Sequence, residues 1–116
     1  MDFVNATLPL VHFFDETLDL FQSVRANKLD SDAPLPALMV KQVDRTTIQI
    51  IVRSDDDIEA MNLCEFIGND IKRNFDRVKG INIFDIDFQT TPTPDLDEET
   101  DKPECWCYLD IKYFEN

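Results

Sequence analysis

The groups able to do chemistry in this chain are few and scattered. His12 is its single histidine, and Phe13 and Phe14 beside it set it on or next to the apolar side of a helix. It lacks a partner set that would make it a catalytic base or metal ligand, so a structural imidazole is expected. Cys105 and Cys107 alternate along a strand pattern and so emerge on one face, as two thiolates of a metal site would. Zinc, however, takes four ligands and usually a second paired motif. Only Cys64 and His12 could complete the set, and core thiols are the better expectation because free Cys is among the most buried residue types.

Carboxylates are the remaining resource. Asp95, Asp97, Glu98, Glu99 and Asp101 fall within one run that could attract a hard cation, but the run lacks the glycine of a calcium loop. A solvated acidic arm that docks on a basic partner fits it better. Asp85 and Asp87, two apart on one strand face, need only water to explain them. With Gly68 and Gly80 as its only glycines, the chain cannot build a glycine-rich phosphate cradle. No nucleophile, base and orienting group can be assembled, so neither catalysis nor a metal or cofactor is expected.

The elements that would position these groups are clearest at residues 46–63, TTIQIIVRSDDDIEAMNL. Ile48, Ile50, Ile51 and Val52 favour a buried strand. Ser54 then stands at an N-cap position with Asp57 three residues on, and Asp55, Asp56 and Asp57 place negative charge at the positive end of a helix dipole. Ile58, Met61, Cys64, Ile67 or Gly68, Ile71 and Phe75 recur at helical spacing and predict the buried stripe of that helix. It should end near Gly80, where glycine can take the left-handed cap.

Leu10, Phe14, Leu18, Phe21 and Val24 repeat every three or four residues and predict a first helix over 8–27, with Thr7 and Pro9 at its start. Pro34 and Pro36 then turn the chain into a strand. Residues 37–43 and 47–52 are spaced for an antiparallel hairpin. In 81–89, Phe84, Ile86 and Phe88 alternate with Asp85 and Asp87. In the last strand Cys105, Cys107, Leu109, Ile111 and Tyr113 oppose Trp106, Tyr108, Asp110, Lys112 and Phe114. The polar, proline-rich stretch 90–103 is expected to be an exposed loop. The plan is α+β: a single domain over 1–116, in the order α-β-β-α-β-β, with two helices on one face of a four-stranded, mainly antiparallel sheet.

A chain of 116 residues is long enough to bury a core without disulfides. Its 24 acidic against 11 basic residues give a formal net charge of −13, a field that repels phosphate backbones and anionic membranes. Specific nucleic-acid binding and membrane insertion are not expected, and no apolar run approaches the roughly 20 residues of a spanning helix. The start of the chain has neither the basic segment nor the cleavage site of a secretory signal, and the odd cysteine count suits a reducing compartment or an assembled particle.

The segment TIQIIVRSDDDIEAMNLCEFIGNDIKRNF, with Val52, Arg53, Ser54, Glu59, Ala60, Met61 and Asn62 at its junction, and the closing strands that end CWCYLDIKYFE resemble a family of small tailed-phage proteins. These are minor capsid or tail-completion proteins, similar to the tail terminators of long-tailed phages. The resemblance implies a virion protein that forms a homo-oligomeric ring of six copies at the head-proximal end of the tail. There it would stop polymerisation of the tail tube protein and meet the head connector or a head-completion protein. It supplies no catalytic residue. Candidate contact residues are Arg53, Trp106, Tyr108 and Phe114 on the sheet and Asp97, Glu98 and Glu99 on the acidic loop, since aromatic residues are enriched at interfaces. The contrasting expectation is an acidic inhibitor that mimics nucleic acid and docks on a basic host protein. It requires Asp55–Asp57, Asp85, Asp87 and the acidic arm to share one continuous surface.

Overall fold

The computed structural model describes residues 5–114. Two helices and six strands follow one another as α1 (Thr7–Thr17), β1 (Ser23–Ala26), β2 (Ala37–Asp44), β3 (Thr47–Arg53), α2 (Asp57–Asn74), β4 (Asn82–Phe88), β5 (Thr93–Asp97) and β6 (Lys102–Phe114), with a short 3-10 turn at Phe75–Arg77 after α2. The strand order is β1-β2-β3-β6-β4, and β5 also pairs with β6. All pairings are antiparallel except β1 with β2. The α+β class therefore holds, with six strands in place of the expected four.

β6 organises this sheet because it is long enough to be used twice. Along one edge its residues 104–110 pair with β3. Along the other, 102–106 pair with β5 and 109–114 with β4. Thirteen extended residues reach about 43 Å at ~3.3 Å each, which matches the 42 Å long axis of the molecule. The register puts Leu38, Val52 and Cys105 in one row and Val40, Ile50 and Cys107 in the next. This face is sealed by Leu10 and Phe14 of α1 and by Ala60, Cys64, Ile67 and Ile71 of α2, all buried in one continuous core. Both helices thus cover the same side.

Several sequence expectations are corrected. The first helix stops at Thr17, not Asn27: Leu18 is already extended at φ −119°, ψ 120°. Beyond it Ser23–Ala26 pairs with the edge of β2, so a sheet hydrogen-bond ladder overrides the helical spacing of Leu18, Phe21 and Val24, and Leu18 and Phe21 pack against the core from a loop. The N-cap of α2 is Asp56, whose carboxylate accepts from the Glu59 N–H at 3.0 Å. Ser54 lies outside the helix, accepting from the Asp56 N–H and donating to the Glu59 carboxylate. Ile58 is 64% and Met61 40% exposed, and the buried stripe runs instead through Ala60, Cys64, Ile67 and Ile71.

In β4 the register slips between Ile83 and Asp85, which leaves Phe84 as the extra residue of a bulge and turns it outward. Finally, the expected loop over 90–103 is largely a strand and hairpin: β5 pairs with the start of β6, joined by the turn 98–101. Pro94 is tolerated because β5 is an edge strand. Asp97 accepts from both the N–H and the hydroxyl of Thr100, and Asp101 closes the turn at φ 60°, a conformation that Asp adopts more readily than most residues. Gly80 is left-handed at φ +86° but does not cap α2, which ends at Asn74 and passes through the 3-10 turn to Arg77, short of the expected end near Gly80.

Arg53, 6% exposed, holds the hairpin onto the sheet. Its Nε donates to Glu104 at 2.9 Å, one terminal nitrogen lies 3.5 Å from Asp97, and the other donates to the Asp30 carbonyl at 3.0 Å. Removing one partner of a buried ionic group leaves the others uncompensated. Arg53→Met is therefore expected to cost about 3 kcal/mol in urea unfolding, and adding Glu104→Gln should recover part of that loss. An unchanged midpoint for Arg53→Met would show that the network contributes nothing net.

Candidate functional site

The sheet face away from the helices carries most of the residues that sequence reasoning proposed for contacts. Even-numbered residues of β6 point there, and across the sheet Met39, Ile51, Trp106 and Thr93 lie side by side. Trp106 is half-buried and packs edge-on against Tyr108, with ring centroids 5.4 Å apart. At the far end of β6, Phe114 is 62% and Phe84 51% exposed, and their rings sit 4.9 Å apart. The Phe84 bulge thus builds an exposed aromatic pair that regular alternation would have hidden. Two large apolar rings in water are costly to leave uncovered, at roughly 25 cal/mol per Å².

The other proposed residues are divided by the fold. Arg53 is sealed in its ionic network and offers no guanidinium to a partner. Asp97 is half-buried and committed to Thr100 and Arg53. Glu98 and Glu99 are exposed at the hairpin tip. Nearby, Asp55 binds Lys102 at 2.7 Å, so the hairpin and the N-terminus of α2 form one acidic end of the molecule. Asp85 and Asp87 stand apart from it. Opposite Lys112 and Asp110 of β6, they lie roughly 30 Å along the strand from the Asp97–Lys102 pair at ~3.3 Å per residue. Both also have cationic neighbours, Lys112 at 3.9 Å and Lys72 at 3.0 Å. By register Asp85, Asp87, Asp95 and Asp97 fall on the same sheet face, but they are spread along it and interrupted by lysines.

Comparison with known protein families and with curated proteins finds no match. The chemistry of the surface and the residues behind the resemblance carry the functional reading.

The thiols come together more closely than their sequence positions suggest. Cys64 of α2 lies 3.9 Å from Cys107, sulfur to sulfur, and Cys105 shares the same buried layer. The Cys107 thiol and burial push the Cys64 thiol far up, and burial raises Cys105. All three thiols are buried within the core cluster, away from solvent, and pack the interface of α2 with the sheet. His12 is elsewhere, on the exposed side of α1. Among the described residues no group of three or more His, Cys, Asp or Glu side chains is arranged to hold a metal ion.

Sequence reasoning missed one cluster. Lys72, Arg73, Arg77 and Lys79 supply four of the eleven basic residues within eight positions, a signal hidden by the strongly acidic total. Arg77 and Lys79 line a cleft of about 410 Å³ with His12 and Glu16 of α1.

Two measurements test this description. The three thiols should react with an aromatic disulfide reagent only on unfolding, with protection tracking global stability; rapid reaction of native protein would show that α2 opens locally. The second concerns Asp97, whose carboxyl is held below its ordinary value chiefly by the Thr100 hydroxyl. A carboxyl lowered by folding contributes stability at neutral pH that is lost as pH falls through its folded pKa, below 3.8. Thr100→Val should therefore lower stability at neutral pH and flatten the acid-unfolding profile. An acid profile parallel to that of the parent would contradict that assignment.

Proposed function

We propose that this chain is a structural assembly protein of a tailed phage. It forms a ring at the head-proximal end of the tail, ends growth of the tail tube and presents a surface to the head connector. Its mechanism is binding throughout. The observation that carries this reading is the two-sided sheet: helices seal one face, while the other keeps Trp106, Tyr108 and the exposed Phe84–Phe114 pair for contacts. The VRS-acidic junction at Val52 to Asn62 and the closing strand CWCYLDIKYFE, which resemble tail-completion proteins, supply the kind of assembly.

The structural role of the junction supports that resemblance physically. Arg53 anchors the hairpin, Asp56 caps α2 and Ser54 bonds Glu59 of its first turn, so the motif specifies the shape of the molecule without chemistry of its own. The mimic reading is weakened by the lysines that pair with Asp55, Asp85 and Asp87. A ring whose inner wall is acidic would also let DNA pass without adhering.

Light scattering across a wide concentration range should show a climb to a discrete closed oligomer, six copies in the reading proposed. The double variant Phe84→Ser and Phe114→Ser should shift that climb to at least ~10-fold higher concentration, as loss of aromatic anchors does, with the thermal midpoint nearly unchanged. Association unaltered by that change would remove the aromatic pair from the interface.

A further inference from the structure

The charge of this molecule is distributed along its length. At one end the exposed Glu98, Glu99 and Asp101 of the hairpin turn stand beside Asp55, Asp56 and Asp57, where the cations Lys102 and Arg53 are already bound, Lys102 to Asp55 and Arg53 to Asp97 and Glu104. At the other end, where Asn82 meets Phe114, lies the cleft between α1 and the turn after α2. Its lining carries His12, Arg77 and Lys79 against one carboxylate, Glu16. No salt bridge engages Arg77 or Lys79 among the described residues. α2 runs between the two ends, its N-terminus at the acidic one and its C-terminus at the basic one, so its dipole reinforces neither cluster but favours the charges found at both termini.

We infer that the basic cleft is a socket for the acidic hairpin turn of a second copy of this chain. This rests on the ring reading and assigns it a contact. A protein with net charge −13 repels its own copies unless they meet in one orientation, and the pairing of acidic tip with basic cleft supplies that orientation. The contact is heterologous: tip and cleft are different surfaces, so each copy keeps one of each free for the next neighbour, and repeated contacts give a ring when the rotation from copy to copy closes. The turn suits the role because Asp97, Thr100 and Asp101 fix its backbone, leaving the Glu98 and Glu99 side chains projecting and little ordering still to be done on binding. The Phe84–Phe114 pair lies at the same end of β6 but on the sheet face away from the helices, a surface separate from the cleft.

Charge reversal in two complementary variants tests the contact. One carries Arg77→Glu and Lys79→Glu, the other Glu98→Lys and Glu99→Lys. All four positions are exposed, and circular dichroism with thermal melting checks that each variant folds. Sedimentation velocity at low and moderate salt is read for the parent, for each variant and for their equimolar mixture. The expected result is association of the parent that weakens as salt rises, association of each variant alone weakened at least ~10-fold, and recovery on mixing, since each then meets the opposite charge. Parent and variants that associate alike would overturn the contact and leave the ring reading standing. A parent that stays monomeric at every concentration would overturn both. Should either reversal fail to fold, neutral Arg77→Gln with Lys79→Gln replaces it, and association equal to that of the parent would again overturn the contact.

Discussion

A buried guanidinium decides the shape of one end of this molecule. Arg53 ends β3 on the sheet face that the helices leave free, and an arginine there must find oxygen partners or destabilise the fold. It finds Glu104 across the sheet, Asp97 on the next strand and the Asp30 carbonyl in the connection before β2. Three segments distant in sequence are thereby tied to one planar group. The local balance is close: burial raises the Glu104 carboxyl, the Arg53 guanidinium pulls it back, and Asp97 is held down mainly by Thr100. The result turns a polar, proline-containing stretch that could have remained a solvated arm into an edge hairpin.

That hairpin explains what could and could not be read from the residues. β2, β3 and the faces of β6 were legible because their apolar residues repeat with period two and their register is fixed by a buried face. The class of the fold followed from them. β1 and β5 were not legible, since Ser23–Ala26 continues an apolar spacing that suits a helix and Pro94 argues against a strand; both are edges, recruited by the partner strand beside them. Unbroken alternation puts Phe84 on the side of Ile86 and Phe88, whereas the bulge after Ile83 turns it to the other. The capping residue of α2 was misplaced by two positions because Ser54 and Asp56 both have the chemistry of a cap and only the backbone conformation distinguishes them.

Of the proposed contact residues, Trp106, Tyr108, Phe114, Glu98 and Glu99 reach the surface, while Arg53 and most of Asp97 do not. The difference is physical. Aromatic rings on the free face of a strand have nothing to satisfy them internally, whereas a charged pair can satisfy itself, and here the arginine that looked available for a partner is consumed by its own chain. The cations at 72–79 were overlooked for the converse reason: a net charge summed over the chain conceals a local excess of the opposite sign.

Charge separation matters for assembly because geometry converts it into direction. β6 spans the long axis, its beginning inside the acidic hairpin and its end beside the basic cleft. Electrostatic attraction between exposed groups contributes only about 0.2–1 kcal/mol per pair, too little to hold a ring. Its contribution is to reject the many encounters in which acidic ends meet and to favour the one in which tip meets cleft. Holding the ring is then left to apolar surface such as the exposed Phe84–Phe114 pair. A protein organised in this way would associate selectively with its own kind while its acidic excess keeps it from adhering to nucleic acid, two requirements that a neutral or uniformly charged surface could not meet together.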